Sequence, residues 1–372
     1  MAKQKKTRLI SVDCIRGATI AWMILANNPG DSMHVYPELT HAKWNGWTLT
    51  DFVFPIFLFL MGVSVALSVN RQKVLAHRVG GFWGKAVRRA AVLFMLGIFL
   101  NAFPYFDLAH LRIPGVLQRI ALVYLGVVWL HVYLGDKGLL ATVISVLAGY
   151  WLLLRYVPVP GLGFPGPDLA INMEGWLDQK FLHGHIWEYD TTWDPEGILS
   201  TFPAVAMGLI GTLCGRWLKL ADSTRVGRVF FYGLAMHLAG LLLNYDLPIN
   251  KNLFTSSFVL FVGGAAVMLL VLCYWWMDIR GKTAGTKAFL AMGTNSLAIY
   301  LASEVIAVIL YQIEVPAGYG GVKSLHVFIL DNILVFGMNP FLHSVVWSLF
   351  FLGLLFIPAW ALYKKGVVIK LS

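Results

Sequence analysis

Ten apolar runs, each roughly 17 to 25 residues long, recur along this 372-residue chain and confine it to a narrow class of folds. They lie near residues 11–28, 47–69, 85–103, 115–134, 138–156, 198–218, 226–244, 253–277, 288–311 and 341–363. Wound as α-helix, a run of that length matches the hydrocarbon thickness of a bilayer, and in lipid each helix satisfies its own backbone. Barrel strands would be shorter and would alternate with period two. The expected fold is an all-α integral membrane protein, a polytopic bundle of about ten transmembrane helices forming a single domain over 1–372.

Composition excludes the soluble alternative. With 58% hydrophobic residues, 13% charged and a mean hydropathy of +0.70, the chain carries more apolar surface than a soluble core can hide. Cys14, Cys214 and Cys273 fall in or beside apolar runs without paired spacing, so neither a structural disulfide nor a zinc site is expected. The first run leads directly into a polar loop and no small-residue cleavage site closes it, so it reads as a helix and not as a removed leader. The stretch 325–339 is apolar but short and is interrupted by Asp331 and Asn332. It reads as a short interfacial or re-entrant helix within an extracytoplasmic segment, 312–340.

Alternate connections differ in Lys and Arg, the quantity that sets membrane orientation. Lys3, Lys5, Lys6 and Arg8, then Arg71, Lys73, Arg78, Lys85, Arg88 and Arg89, the 216–228 connection, Lys137, Arg280, Lys282 and Lys287, and Lys364, Lys365 and Lys370 all fall on one side. Both termini are therefore expected in the cytoplasm. The net charge of +10 is first a topology signal; spread over short loops, it does not point to a nucleic-acid partner. The opposite face has its longest loop at 157–197, with Asp168, Glu174, Asp178, Glu188, Asp190, Asp194 and Glu196 among Trp176, Trp187 and Trp193. Carboxylates interleaved with indoles suit a cationic sugar, and they equally suit a solvated loop with interfacial tryptophans. His183 and His185 lack a third ligand at a fixed offset, so no metal is expected.

Ionisable groups inside apolar runs are costly and need partners or a polar cavity. Asp13 and Arg16, three apart, read as an internal ion pair. Arg155 can snorkel from the end of its run. Arg119 follows a Pro-Gly helix start and the amide of Gln118, and reads either as part of a polar cavity or as the partner of Asp51 or Glu304. The sharpest feature is His41, in Thr40-His41-Ala42-Lys43-Trp44-Asn45-Gly46, with Asp51 opening the next run. A carboxylate beside an imidazole fixes its tautomer and raises its basicity, so this pair at a membrane boundary suggests proton-handling chemistry.

The stretch Arg8 to Gly62, with Asp13, Arg16-Gly17, Asn27, His41-Ala42, Trp44-Asn45-Gly46 and Asp51, resembles the heparan-alpha-glucosaminide N-acetyltransferase family. Arg112 to Arg119, Asp194-Pro195-Glu196-Gly197, Asn250-Lys251-Asn252-Leu253 and Asn295-Ser296 follow in the same order. The resemblance implies a multi-pass enzyme of a bacterial inner membrane that moves acetyl from cytoplasmic acetyl-CoA to the amine of a glucosamine-type sugar on the far side. It implies His41 and Asp51 as catalytic residues, with Asn27, Trp44, Asn45 and Glu304 at the sugar. Arg112, Gln118, Arg119, Asn250, Lys251, Asn252, Asn295 and Ser296 are then expected to hold CoA. No metal is implied, lipid is the surrounding partner, and a homodimer is suggested. His41 would serve either as general base or as an acetyl carrier. The competing expectation is an amino-sugar permease, for which the chain shows no convincing internal repeat.

Overall fold

The computed structural model describes residues 9–187, 192–219, 223–316, 321–331 and 339–369, with backbone alone for 223–225. In chain order its helices are α1 (Ile10–Asn27), α2 (Val53–Ser68), α3 (Arg71–Leu75), α4 (Phe82–Ala102), α5 (Val116–Tyr133), α6 (Asp136–Tyr156) and α7 (Met173–Leu182). There follow α8 (Thr201–Lys219), α9 (Ser223–Leu243), α10 (Ser256–Cys273), α11 (Lys287–Thr294), α12 (Ser296–Gln312), α13 (Leu325–Ile329) and α14 (Pro340–Lys364). Strands β1 (Glu314–Pro316) and β2 (Val322–Ser324) form a short antiparallel pair.

Each of the ten expected spans is occupied by helix, but not all are apolar to the same degree. Among the described residues six stretches have the length and hydropathy to cross a membrane: Leu49–Ser68, Val116–Tyr133, Asp136–Tyr156, Val226–Leu243, Ser256–Ile279 and Pro340–Lys364. The pair α11 and α12 makes a seventh when taken together. The remaining helices, α1, α4 and α8, carry charged residues such as Asp13, Arg16, Lys85, Arg88 and Arg216, which dilute their hydropathy. The ninth expected span is not straight. It bends by 77° at Asn295, whose backbone leaves the helical region at φ −121. The Asn295 amide donates to Val367 O at 2.9 Å and accepts from Ile369 N at 2.8 Å, so the break is stitched to the C-terminal strand of chain. Of the short 325–339 segment, 325–331 is helical, and Asn332 with the rest up to 338 lies outside the described residues.

The residues group into two compact units. The first comprises the residues up to Thr40 and those from Leu269 on. In it α1 packs on α11, α12 and α14. Gly17 allows close approach: a Cβ there would sit 1.8 Å from Phe289 O. The Asp278 carboxylate accepts the amides of Ile10 and Ser11, at 2.8 and 3.1 Å, and so occupies donors that a helix start leaves open. The expected Asp13–Arg16 pair is formed at 2.9 Å.

The second unit runs from His41 to Met268. Helix α8 is its axis, packed against α2, α5, α6 and α9. The α2–α8 contact is backbone to backbone: a Cβ on Gly62 would lie 1.8 Å from Gly208 O, and one on Gly211 would lie 2.0 Å from Phe59 O. Between helices that share their surroundings with lipid, such small-residue contacts supply dispersion where the hydrophobic effect gives little. The starts of α2, α5, α8 and α10 and the ends of α6 and α9 belong to connections carrying His41, Arg112, Asp194, Asp246 and Lys251. Gly62→Val is expected to lower stability by about 1–3 kcal/mol or more, because backbone on α8 cannot move aside as a side chain would. Thermal unfolding followed by size-exclusion in detergent checks this, and an unchanged midpoint would show that α2 and α8 do not rely on the contact.

Candidate active site

The Asp51 carboxylate has no exposed surface, and everything around it is a donor. Thr48, Leu49 to Phe52 form a single tight turn ahead of α2, with Thr48 capping it. Asp51 Oδ2 accepts the amides of Thr48 at 2.9 Å and Ala42 at 3.2 Å, and the Thr48 hydroxyl at 3.2 Å. Asp51 Oδ1 lies 2.7 Å from His41 Nδ1. Lys251 brings its Nζ to 2.9 Å from the same Nδ1 and 3.5 Å from Asp51 Oδ1. The imidazole itself is 47% exposed, with Nδ1 turned to the carboxylate. Burial holds the Lys251 ammonium below the usual lysine range, against the pull of Asp51 and Glu196, which favour the charge.

Two loops hold these groups. Residues 41–47 lie along 248–255, joined by a bridge between Asn45 and Asn250. Gly46, at φ +106, a conformation only glycine adopts without strain, turns its amide to Ile249 O at 2.8 Å. Asn250 donates to Asn45 Oδ1 at 3.0 Å and accepts from Leu253 N at 2.9 Å, while Asn252 donates to Lys43 O at 3.3 Å. The amides of Asn45, Asn250 and Asn252 thus fasten the His41 loop. Trp44 donates to Asp168 O at 2.6 Å, as Asn45 does at 3.2 Å, and the Trp44 ring tilts against Trp193 at 5.1 Å.

Of the described acids in the loop before α8, Glu174, Asp178 and Asp194 are buried, Glu196 is half-buried and Asp168 is exposed, so only part of the expected carboxylate surface faces outward. Asp194 is buried and takes both nitrogens of a bidentate fork from Arg112, at 2.9 and 2.7 Å; Glu196 takes a third bond at 2.6 Å. The Asp178 carboxylate accepts the amides of Asp194 and Ile198, both at 3.0 Å. Glu174 accepts from Tyr150 at 3.1 Å and is completely buried. Gly197 fits between the two acids; a Cβ there would lie 2.1 Å from Asp178 Oδ2. Glu188 and Asp190 lie outside the described residues. The reason for the difference is the backbone: a loop folded inward has amides that need acceptors, and carboxylates supply them.

Arg119 is buried at 1% exposure, and its partners are Gly197 O, at 3.0 Å, and the Ser200 hydroxyl, where the sequence suggested Asp51 or Glu304. Its guanidinium also lies over the Phe254 ring. Among the described residues its Nε and Nη1, and Gln118 Nε2, are buried donors without a protein acceptor. Arg155 bonds Asp246 at 3.3 Å in place of reaching free into solvent. Four expected site residues, Asn27, Asn295, Ser296 and Glu304, belong to the first unit, and the Asn295 amide is engaged by the C-terminal strand of chain. Glu196, with its effect on Lys251, is the residue near the pair that sequence reasoning did not place there; its acidic neighbours concealed it.

A family model described as "Heparan-alpha-glucosaminide N-acetyltransferase, catalytic" matches residues 8–249. The human protein named heparan-alpha-glucosaminide N-acetyltransferase is 29% identical over 357 residues, which cover 80% of this chain and 53% of the human one. The mouse protein of that name is 28% identical over 361 residues, covering 82% and 54%. The chain spans about half the length of these curated relatives.

The buried acids make stability depend on pH. Burial, then the Asp178 charge, pushes Glu174 from 4.5 to about 8; burial raises Asp178 from 3.8 to about 6. Within each window the folded chain holds a proton that the unfolded chain has released, so stability falls as pH rises through it. Thermal midpoints are expected to fall between about pH 4 and 8, and less steeply in Glu174→Gln. Equal slopes in both proteins would show that Glu174 stays ionised.

Proposed function

The chain belongs to the heparan-alpha-glucosaminide N-acetyltransferase family, and on that premise we propose that it is a membrane acetyltransferase in which His41 carries the chemistry. The observation that carries this reading is the asymmetry of the imidazole. Nδ1 is held by a fully buried carboxylate while the imidazole as a whole is 47% exposed, the arrangement that lets Nε2 serve as a general base or a nucleophile. A buried Asp51 satisfied by two backbone amides orients the ring and stabilises positive charge developing on it.

Acetyl-CoA supplies an activated thioester. In direct transfer, Nε2 of His41 removes a proton from the acceptor amine as the amine nitrogen attacks the thioester carbonyl. The C–S bond then breaks, and the thiolate takes the proton back from the imidazolium. In the two-step variant Nε2 itself attacks the thioester carbonyl and expels the CoA thiolate; the amine then attacks the acetyl-imidazole carbonyl, the bond from carbonyl to Nε2 breaks, and the amine proton passes to the departing ring and on to the thiolate. Both routes use the same His41–Asp51 geometry.

The acceptor is an amino sugar of the glucosamine type, as the relatives' names indicate for those proteins. Trp44, paired with Trp193 beside the His41 loop, offers the aromatic face that a pyranose stacks on. Gln118 Nε2 and Arg119 Nε and Nη1 fit the amide carbonyls of a pantetheine arm, since they are donors awaiting acceptors. Lys251, Asn250 and Asn252 we assign to the His41 site and not to the CoA phosphates, and Asn295 to the fold of the first unit. The charge pattern supports cytoplasmic termini in a bacterial inner membrane, with His41 on the far side of the membrane from them.

Purified protein in liposomes is expected to move labelled acetyl from acetyl-CoA to glucosamine. His41→Ala is expected to abolish this, and Asp51→Asn to lower kcat by about 10²–10⁴-fold. Unmodified sugar crossing the membrane without transfer would favour a permease instead.

A further inference from the structure

The Tyr150 hydroxyl has one proton and two neighbouring oxygens that ask for it. Leu253 O lies 2.6 Å away and Glu174 Oε2 lies 3.1 Å away, both in the interior. Taken singly, each is a sound bond for a tyrosine donor; together they need two protons. A backbone carbonyl can only accept, so the contact at 2.6 Å fixes the tyrosine proton on the Leu253 side. The phenol oxygen then faces Glu174 with lone pairs alone. Two oxygens held at 3.1 Å without a proton between them repel, so the second proton belongs to the Glu174 carboxyl, which donates it to Tyr150.

The surroundings agree with a neutral acid. Glu174 is completely buried, and its Oε1 has no hydrogen-bond partner among the described residues. Burial and the charge of Asp178, one turn along α7, oppose ionisation more than Arg119 of α5 and the hydroxyl neighbours favour it, so the proton is kept up to about pH 8. Asp194, behind Asp178, is already neutralised by Arg112.

Charge on Glu174 changes which acceptor the tyrosine serves. A carboxylate outcompetes a carbonyl for a single donor, so ionisation draws the hydroxyl proton away from Leu253 O. Tyr150 and Leu253 share a buried apolar cluster with Leu154, Leu169 and Leu247, against which Trp44 packs, so water has poor access to the abandoned carbonyl. Leu253 also gives its amide to Asn250 Oδ1 within the loop that brings Lys251 to His41 and Asn252 to Lys43 O.

We propose that Tyr150 is a positioning residue: with Glu174 neutral it clamps Leu253 and so holds the 248–255 loop against the His41 loop, and ionisation of Glu174 opens the clamp. Only the effect on activity rests on the reading of His41 as the reacting group. A merely structural tyrosine would hold the loop equally at every pH.

Hydrogen–deuterium exchange of peptides covering 248–255 tests this in full-length protein in detergent, from about pH 6 to about pH 10, each rate being divided by that of the unstructured peptide at the same pH. Wild-type protection is expected to fall by about 3–10-fold across the Glu174 transition, the worth of one hydrogen bond. In Glu174→Gln, whose amide donates to the phenol oxygen at any pH, protection stays level. In Tyr150→Phe it is low throughout and equally level. A wild-type loop indifferent to pH, or a glutamine variant that loses protection as wild type does, would overturn the proposal. Should Tyr150→Phe not fold, infrared difference spectra between the two ends of the range replace it. A protonated-carboxyl band lost from wild type at alkaline pH and missing from Glu174→Gln is expected, and the same band in both proteins would overturn the clamp. In acetyl transfer, the alkaline limb of kcat/KM is expected to move to higher pH in Glu174→Gln. Because exchange needs no transfer, a pH-dependent loop in a protein that transfers nothing would sustain the clamp and reject the acetyltransferase reading. Transfer with a loop indifferent to pH would do the opposite.

Discussion

A carboxylate with no exposed surface at the head of an apolar helix must be ringed by donors, and that requirement organises the second unit around Asp51. Burying an ionised acid without partners costs several kcal/mol or more, so the turn before α2, the His41 loop and the 248–255 loop all have to meet at one point. Thr48 and Ala42 contribute backbone, His41 a ring nitrogen and Lys251 an ammonium. Apart from the Thr48 amide, three residues away in the same turn, these contacts join segments distant along the chain or across a loop. The asparagines on either side follow from the same need: two loops that must stay in register at a buried charge are better joined by amides than by apolar side chains.

A second set of buried acids, Glu174, Asp178 and Asp194, does comparable work for the connection leading into α8. There the donors are the backbone of 194–198 together with Arg112 and Arg119. The two sets differ in how well they are satisfied. Asp51 receives donors on both oxygens, whereas among the described residues Glu174 Oε1 has no hydrogen-bond partner. That difference goes with a burial that disfavours the charge of Glu174.

Much of this was legible in the sequence and the rest was not, for identifiable reasons. The helices were legible because run length and apolarity are set locally, and His41 with Asp51 because only ten residues separate them across a helix start. How many helices suit a membrane by composition was less so. In α1, α4 and α8 charged residues dilute an otherwise helical pattern, and six clear spans stand where ten were expected. Lys251 was expected at CoA through the resemblance alone, and a lysine between two asparagines says nothing about a histidine 210 positions away. The acids of 157–197 read as a surface because burial depends on the fold of the loop, which no periodicity announces. The bend at Asn295 was hidden inside a continuous apolar run, its cause lying in residues 367 and 369.

That bend has a consequence for synthesis. The two bonds that hold it come from residues made 72 and 74 positions later. While the ribosome is still extending the chain through α14, the segment around Asn295 has no partners for its amide, and an apolar run of that length can be threaded into the bilayer as a straight rod. The bent form can be completed only after the last turn of α14 has emerged.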